Sequence, residues 1–117
     1  MNPLDPSFKK CVPCRSDAPP MSIGEIAVQL ERLQNWELLN EKGVQQLRKS
    51  YEFPSYAQAL VFVNGVAKSA EEEKHHPLVI FAYKKVDVSW WTHVINGLHV
   101  NDFVMAKHCD ELYGALK

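Results

Sequence analysis

Val86-Asp87-Val88-Ser89-Trp90-Trp91-Thr92-His93 alternates without a break. Val86, Val88, Trp90 and Thr92 share one parity; Asp87, Ser89, Trp91 and His93 share the other. Successive side chains of a strand point to opposite faces, so the segment predicts a strand with an apolar side turned to the core. Its second face carries polar groups together with Trp91 and His93. Upstream, Val79, Phe81 and Tyr83 are β-forming residues at the same spacing, and Lys84-Lys85 predicts a tight turn between the two strands. Asn96-Gly97 closes the second strand.

Outward from this hairpin the pattern changes to helical. Ser55-x-x-Gln58 reads as a capping box, and Tyr56, Ala59, Val63, Val66 and Ala70 follow at steps of three and four, with Phe62 and Ala67 widening the stripe. Gly65 lies inside that helix at a cost of up to ~1 kcal/mol against alanine, which points to close packing. The helix ends in Glu71-Glu72-Glu73-Lys74, because Pro77 disfavours continuation. On the other side, Asp102 opens a last helix with Ala106, Cys109, Tyr113 and Leu116 turned inward. Nearer the start, Ser22-x-x-Glu25 caps a helix from about Ile23 to Leu33. Trp36 to Phe53 reads as a hairpin around Asn40-Glu41-Lys42-Gly43.

The order is α-β-β-α-β-β-α. Four antiparallel strands with helices packed on one face, an α+β fold, is the economical arrangement, and it leaves the other sheet face partly open. Residues 21–117 are expected to form one domain. Residues 1–20 hold five of the seven prolines and predict an extended arm.

Composition narrows the function classes. The chain has 117 residues, 46% apolar and 23% charged, with a net charge of −1. That balance offers no basic patch for nucleic acid. No apolar run approaches the ~20 residues that span a bilayer. Met1 to Lys10 lacks a hydrophobic signal region, so a cytoplasmic location is expected. Three cysteines cannot complete a disulfide framework. Cys11-Val-Pro-Cys14 has no second ligand pair for zinc and lies in a Pro-rich tail, so no metal or redox role is assigned to it. Cys109 reads as a small core residue.

The chemistry concentrates at Glu71-Glu72-Glu73-Lys74-His75-His76-Pro77. Four of the five histidines lie between His75 and His99. A hairpin turning at Lys84-Lys85 brings Pro77 to Val79 beside Trp91 to His93, so His75, His76 and His93 converge. Imidazoles with a pKa of roughly 6.5 beside carboxylates suit acid–base work. A solvated helix end and a zinc site are the alternatives that residue types alone leave open.

These residues resemble the pterin-4a-carbinolamine dehydratases, bacterial type. The matching signature is Ala70-Glu71-x-x-x-His75-His76-Pro77 followed by Thr92-His93-x-x-x-Gly97-Leu98-x-x-x-Asp102. Tyr56-x-x-Ala59-x-x-Phe62-x-x-x-Val66-Ala67 and Trp36 also fit, so the resemblance runs from about Ile23 to Tyr113. It implies a hydro-lyase that works without metal or redox cofactor. The substrate would be the 4a-hydroxytetrahydropterin left by an aromatic amino acid hydroxylase, and the product the quinonoid dihydropterin. Under that resemblance His75, His76 and His93 are the active-site histidines, with His75 and His93 moving protons and His76 orienting the pterin. Glu71 and Asp102 orient imidazoles or the ring, Pro77 belongs to the same motif, and Trp91 supplies an apolar wall.

One departure stands out: His99 occupies a place where relatives often carry a Ser or Thr cap, so the helix start is expected to rest on Asn101 or Asp102. The resemblance further implies a homo-oligomer, dimer or tetramer, and a link to phenylalanine hydroxylase. Some relatives act instead as dimerisation cofactors or assembly factors, which supplies a non-catalytic alternative.

Overall fold

Two serines start the first two helices. In the computed structural model, which describes residues 21–116, helix α1 spans Ile23–Glu31 and α2 spans Tyr56–Glu73. Ser22 Oγ accepts from the Glu25 amide at 3.2 Å while Glu25 accepts from the Ser22 amide at 2.9 Å, a complete capping box. Ser55 Oγ accepts from the Gln58 amide. α1 stops short of the expected Leu33 because Arg32 and Leu33 donate to carbonyls three residues back, tightening the last turn. The arm of residues 1–20, with Cys11 and Cys14, lies outside the described residues.

Strands β1 (Glu37–Glu41), β2 (Val44–Glu52), β3 (Leu78–Ala82) and β4 (Lys85–Trp90) form one antiparallel sheet in the order β1-β2-β4-β3, and α3 (Val100–Ala115) closes the chain. The element order and class match the sequence expectation. Lys42 and Gly43, both at positive φ, make the first turn, and Asn40 Oδ1 accepts from the Gly43 amide. The second turn is Tyr83-Lys84, one residue earlier than expected. The Phe53 amide donates to Lys84 O at 2.9 Å, which ties the turn to β2 and sets Ala82 opposite Lys85.

Parity holds along β4. Val86, Val88 and Trp90 are fully buried beneath α2 and α3, and β2 adds Leu47 and Tyr51 on the same side. The opposite face is only partly open. Ser89 and Gln46 are buried on it, and Arg48 Nε donates to Ser89 Oγ at 2.7 Å. β4 ends at Trp90 rather than continuing to His93. The Thr92 amide bonds Gly97 O at 2.8 Å, and His93–Ile95 turns as a short 3-10 helix ending at Asn96 in the left-handed region. The loop's own hydrogen bonds outcompete the ladder there.

The inward stripe of α2 is Ala59, Phe62, Val66 and Ala70. Tyr56 and Ala67, placed on it by spacing, point outward; Tyr56 stacks on Phe81 at 5.1 Å, outside the core. Gly65 faces Leu112 on α3, and a methyl group added there would sit 3.4 Å from Leu112 Cδ2. The helices are therefore close at this point, but not so close that only glycine fits.

Asp110 braces the far half of α3. It accepts from Trp36 Nε1 at 3.1 Å, Lys49 Nζ at 2.8 Å and Tyr51 OH at 2.6 Å. Tyr51 also packs on Phe62 and Tyr113. Burial pushes the Tyr51 phenol well above its ordinary pKa, with Cys109 and Asp110 adding to the shift. This network ties the second half of α3 to β2 and to Trp36.

Candidate active site

α2 ends with Lys74 in the left-handed conformation (φ 55°). Its amide donates to Glu71 O, and the next amide, that of His75, donates five residues back to Ala70 O at 3.0 Å. This closure satisfies the last helix carbonyls and turns the chain sharply, so that His75 points inward while His76 faces water. His75 is 8% exposed; the His76 side chain is 60% exposed.

His75 Nε2 lies 2.6 Å from Asp102 Oδ1. The other carboxylate oxygen accepts from Thr92 Oγ1 at 2.8 Å and from the His99 amide at 2.9 Å. Asp102 is wholly buried, and its charge is matched by these three donors and by the start of α3. A carboxylate can only accept, so the proton of this pair sits on His75 Nε2 and leaves Nδ1 for another partner. The His75 ring lies parallel to Trp90, 5.7 Å between centroids and 4° between planes. A packed wall and a three-donor carboxylate thus hold one imidazole in a single orientation.

His93 follows Thr92 directly, on the 3-10 turn instead of the strand. It is exposed, and its ring stacks on the half-buried Trp91 at 4.5 Å. Asp102 bonds both His75 and Thr92, and so ties the end of α2 to the residue that precedes His93. His76 lies outside that network; its Nε2 is 3.9 Å from Glu71 Oε1, between two exposed side chains. Glu71 itself bonds Lys74 Nζ at 3.0 Å, and that cation is the first cause of its lowered pKa. Pro77 is half-buried between His76 and β3.

Three contributors escaped the sequence reading. Thr92 and Trp90 read as core residues by parity, yet one holds Asp102 and the other faces His75. The helix start was expected on Asn101 or Asp102, but His99 is the N-cap of α3: its ring Nδ1 accepts from the Asn101 amide at 3.2 Å. The signal for it was present, since Asp102 stands three residues after His99 in capping-box register. Burial lowers the His99 pKa, with His75 adding to the shift and Asp102 opposing it.

Among the described residues no group of three His, Cys, Asp or Glu side chains is disposed to hold a metal ion. An open cleft of about 830 Å³ lined by Arg32, Lys49, Tyr51, Lys107 and Asp110 contains none of these histidines, and its Asp110 already serves three donors. No described helix is long and apolar enough to cross a membrane.

Residues 19–112 match the profile of a family described as pterin 4 alpha carbinolamine dehydratase. A protein of Saccharophagus degradans, provisionally named as such a dehydratase, is 47% identical over 103 residues, covering 88% of this chain and 91% of its own. One of Microcystis aeruginosa with the same provisional name is 41% identical over 105 residues, 90% of each. Among solved structures, the transcriptional coactivator/pterin dehydratase of Brucella melitensis superposes with a TM-score of 0.75 at 29% identity, covering 81% of this chain and 99% of that one. A pterin dehydratase-like protein identified as a RuBisCO assembly factor in the alpha-carboxysome superposes with a TM-score of 0.61 at 26% identity, covering 69% of this chain and 92% of that one.

Proposed function

The chain belongs to the pterin 4 alpha carbinolamine dehydratase family, and we propose that it dehydrates 4a-hydroxytetrahydropterin to quinonoid dihydropterin by histidine acid–base catalysis. The observation that carries this reading is the buried His75–Asp102 pair, 2.6 Å long, joined through Thr92 to the turn bearing His93. The reaction breaks the C4a–O bond and forms a C4a–N5 double bond. A proton goes to the departing hydroxyl, which leaves as water, and a proton leaves N5. His75 and His93 make these two transfers, each of which is typically worth ~10²–10⁴-fold.

His75 suits the work because its ring is fixed before substrate arrives. Asp102 holds Nε2, so Nδ1 is the nitrogen that meets the pterin. His93 is set against Trp91, whose indole offers an apolar wall to a flat heterocycle. His76, at the rim with Glu71, orients the ring's polar edge. No metal or redox cofactor takes part in the elimination. The pterin supplied is the product of an aromatic amino acid hydroxylase such as phenylalanine hydroxylase, and the protein works in the cytoplasm.

Exposed Leu78 and Ile80 on β3, an edge strand of the sheet, suit pairing with a second copy as a dimer or tetramer. A non-catalytic scaffold is the competing reading, favoured by the likeness to the RuBisCO assembly factor. The enzyme reading is supported over it by the His75 imidazole, which the buried Asp102 and the Trp90 ring hold in one orientation with Nδ1 left for a substrate. The test is the ultraviolet absorbance of chemically generated carbinolamine with and without the protein. Faster decay supports the enzyme; an unchanged rate supports the scaffold.

A further inference from the structure

His99 puts a titratable ring where a helix cap is needed. Its Nδ1 accepts from the Asn101 amide at 3.2 Å, and its own amide donates at 2.9 Å to the Asp102 oxygen that also takes the Thr92 hydroxyl. The usual cap acceptors are hydroxyl, carboxamide or carboxylate oxygens, and serine, threonine and asparagine keep their lone pairs at any ordinary pH. An imidazole nitrogen accepts only while unprotonated. Asn101 is 3% exposed, so if Nδ1 gains a proton, water does not readily take its place. The same turn of helix carries Asp102, the carboxylate that orients His75.

We propose that His99 is a positioning residue: its neutral ring caps α3 and so keeps Asp102 against His75, and its protonation loosens that grip in mild acid. The titratable and charged groups facing the ring are Asp102 on α3 and His75 at the end of α2. Burial outweighs the attraction of Asp102 and, with His75, holds His99 below its ordinary value. The neutral form is therefore favoured in the fold. The stability it contributes is complete above the unfolded value of roughly 6.5 and is lost as pH falls through the lower folded value. The catalytic consequence rests on the reading of His75 as a proton-transfer group; the cap itself does not.

The experiment follows amide exchange at Asn101 by NMR at pH 8 and at the lowest pH where circular dichroism shows a folded chain, in the full chain, its His99→Ser variant and its His99→Ala variant, each corrected for intrinsic exchange. Protection in the wild type should fall about fivefold in acid, the loss expected when a cap is removed. His99→Ser, which caps with a hydroxyl, should hold its protection at both pH values, and His99→Ala should be poorly protected at both. In parallel, kcat of the wild type should drop faster in acid than that of His99→Ser, with KM unchanged. Flat wild-type protection, or an equal acid loss in His99→Ser, overturns the proposal. Absent dehydration with pH-dependent protection would remove the function assigned to the site while supporting the cap.

Discussion

His75 and Asp102 are 27 residues apart in the chain and 2.6 Å apart in the structure, Asp102 fully buried and His75 8% exposed. Two backbone devices bring them together. Lys74 in the left-handed region ends α2 and turns His75 inward, and the start of α3 at His99 puts Asp102 in the first turn of that helix. The polar core of the site is thus prepared by ordinary folding forces.

Asp102→Asn tests the pair. A carboxamide supplies one acceptor oxygen where three donors converge, and its NH₂ faces one of them. The loss in stability should be about 1–3 kcal/mol by urea denaturation, the cost of a buried group left unmatched. With His75 no longer held in one tautomer, kcat should fall ~10²-fold or more. Wild-type turnover in a folded Asp102→Asn variant would remove Asp102 from the mechanism.

Asp110→Ala separates fold from chemistry. It removes the acceptor of Trp36 Nε1 and of the Tyr51 hydroxyl and leaves Lys49 Nζ with the Gln34 carbonyl alone, so the urea midpoint should drop by an amount equivalent to roughly 2–4 kcal/mol. Where the variant remains folded, its kcat should match the parent, because Asp110 touches none of the histidines.

Gly65→Ala should stabilise the protein. The added methyl meets Leu112 at 3.4 Å, ordinary contact, while the helix gains the propensity difference of about 0.8–1.0 kcal/mol. A higher thermal midpoint checks this; a lower one would mean that α2 and α3 cannot yield at that contact.

Cys109 should be inert. Burial pushes its thiol up to about 12, so almost no thiolate exists near neutrality. Peptide mapping after alkylation at pH 8 should find Cys109 unmodified in the folded protein and modified once urea is added.

Much of this was legible in the sequence because local patterns and tertiary packing agree. The Ser22 capping box, the alternation of Val86, Val88 and Trp90, and the helix end before Pro77 each have a short-range cause that the fold preserves. The failures arise where a local interaction wins over periodicity. Thr92 keeps the parity of β4, but its amide pairs with Gly97 across a tight loop, so His93 leaves the strand. Tyr56 fits the helical stripe of α2 by spacing, yet it sits at the first turn, beyond the core, and finds Phe81 instead. The cap of α3 was signalled by the His99–Asp102 spacing but not by residue type. Histidine is rarely counted among capping residues, because its acceptor survives only in the neutral ring. The histidine signature did not show which of its members is buried, because that depends on the left-handed conformation of Lys74.

The most direct measurement is single-turnover decay of synthetic 4a-carbinolamine, followed by ultraviolet absorbance, for the wild type, His75→Ala and His93→Ala. The account predicts that the wild type accelerates water loss and that each replacement cuts the rate at least ~10²-fold while circular dichroism shows a folded chain. Wild-type rates in both variants would contradict it.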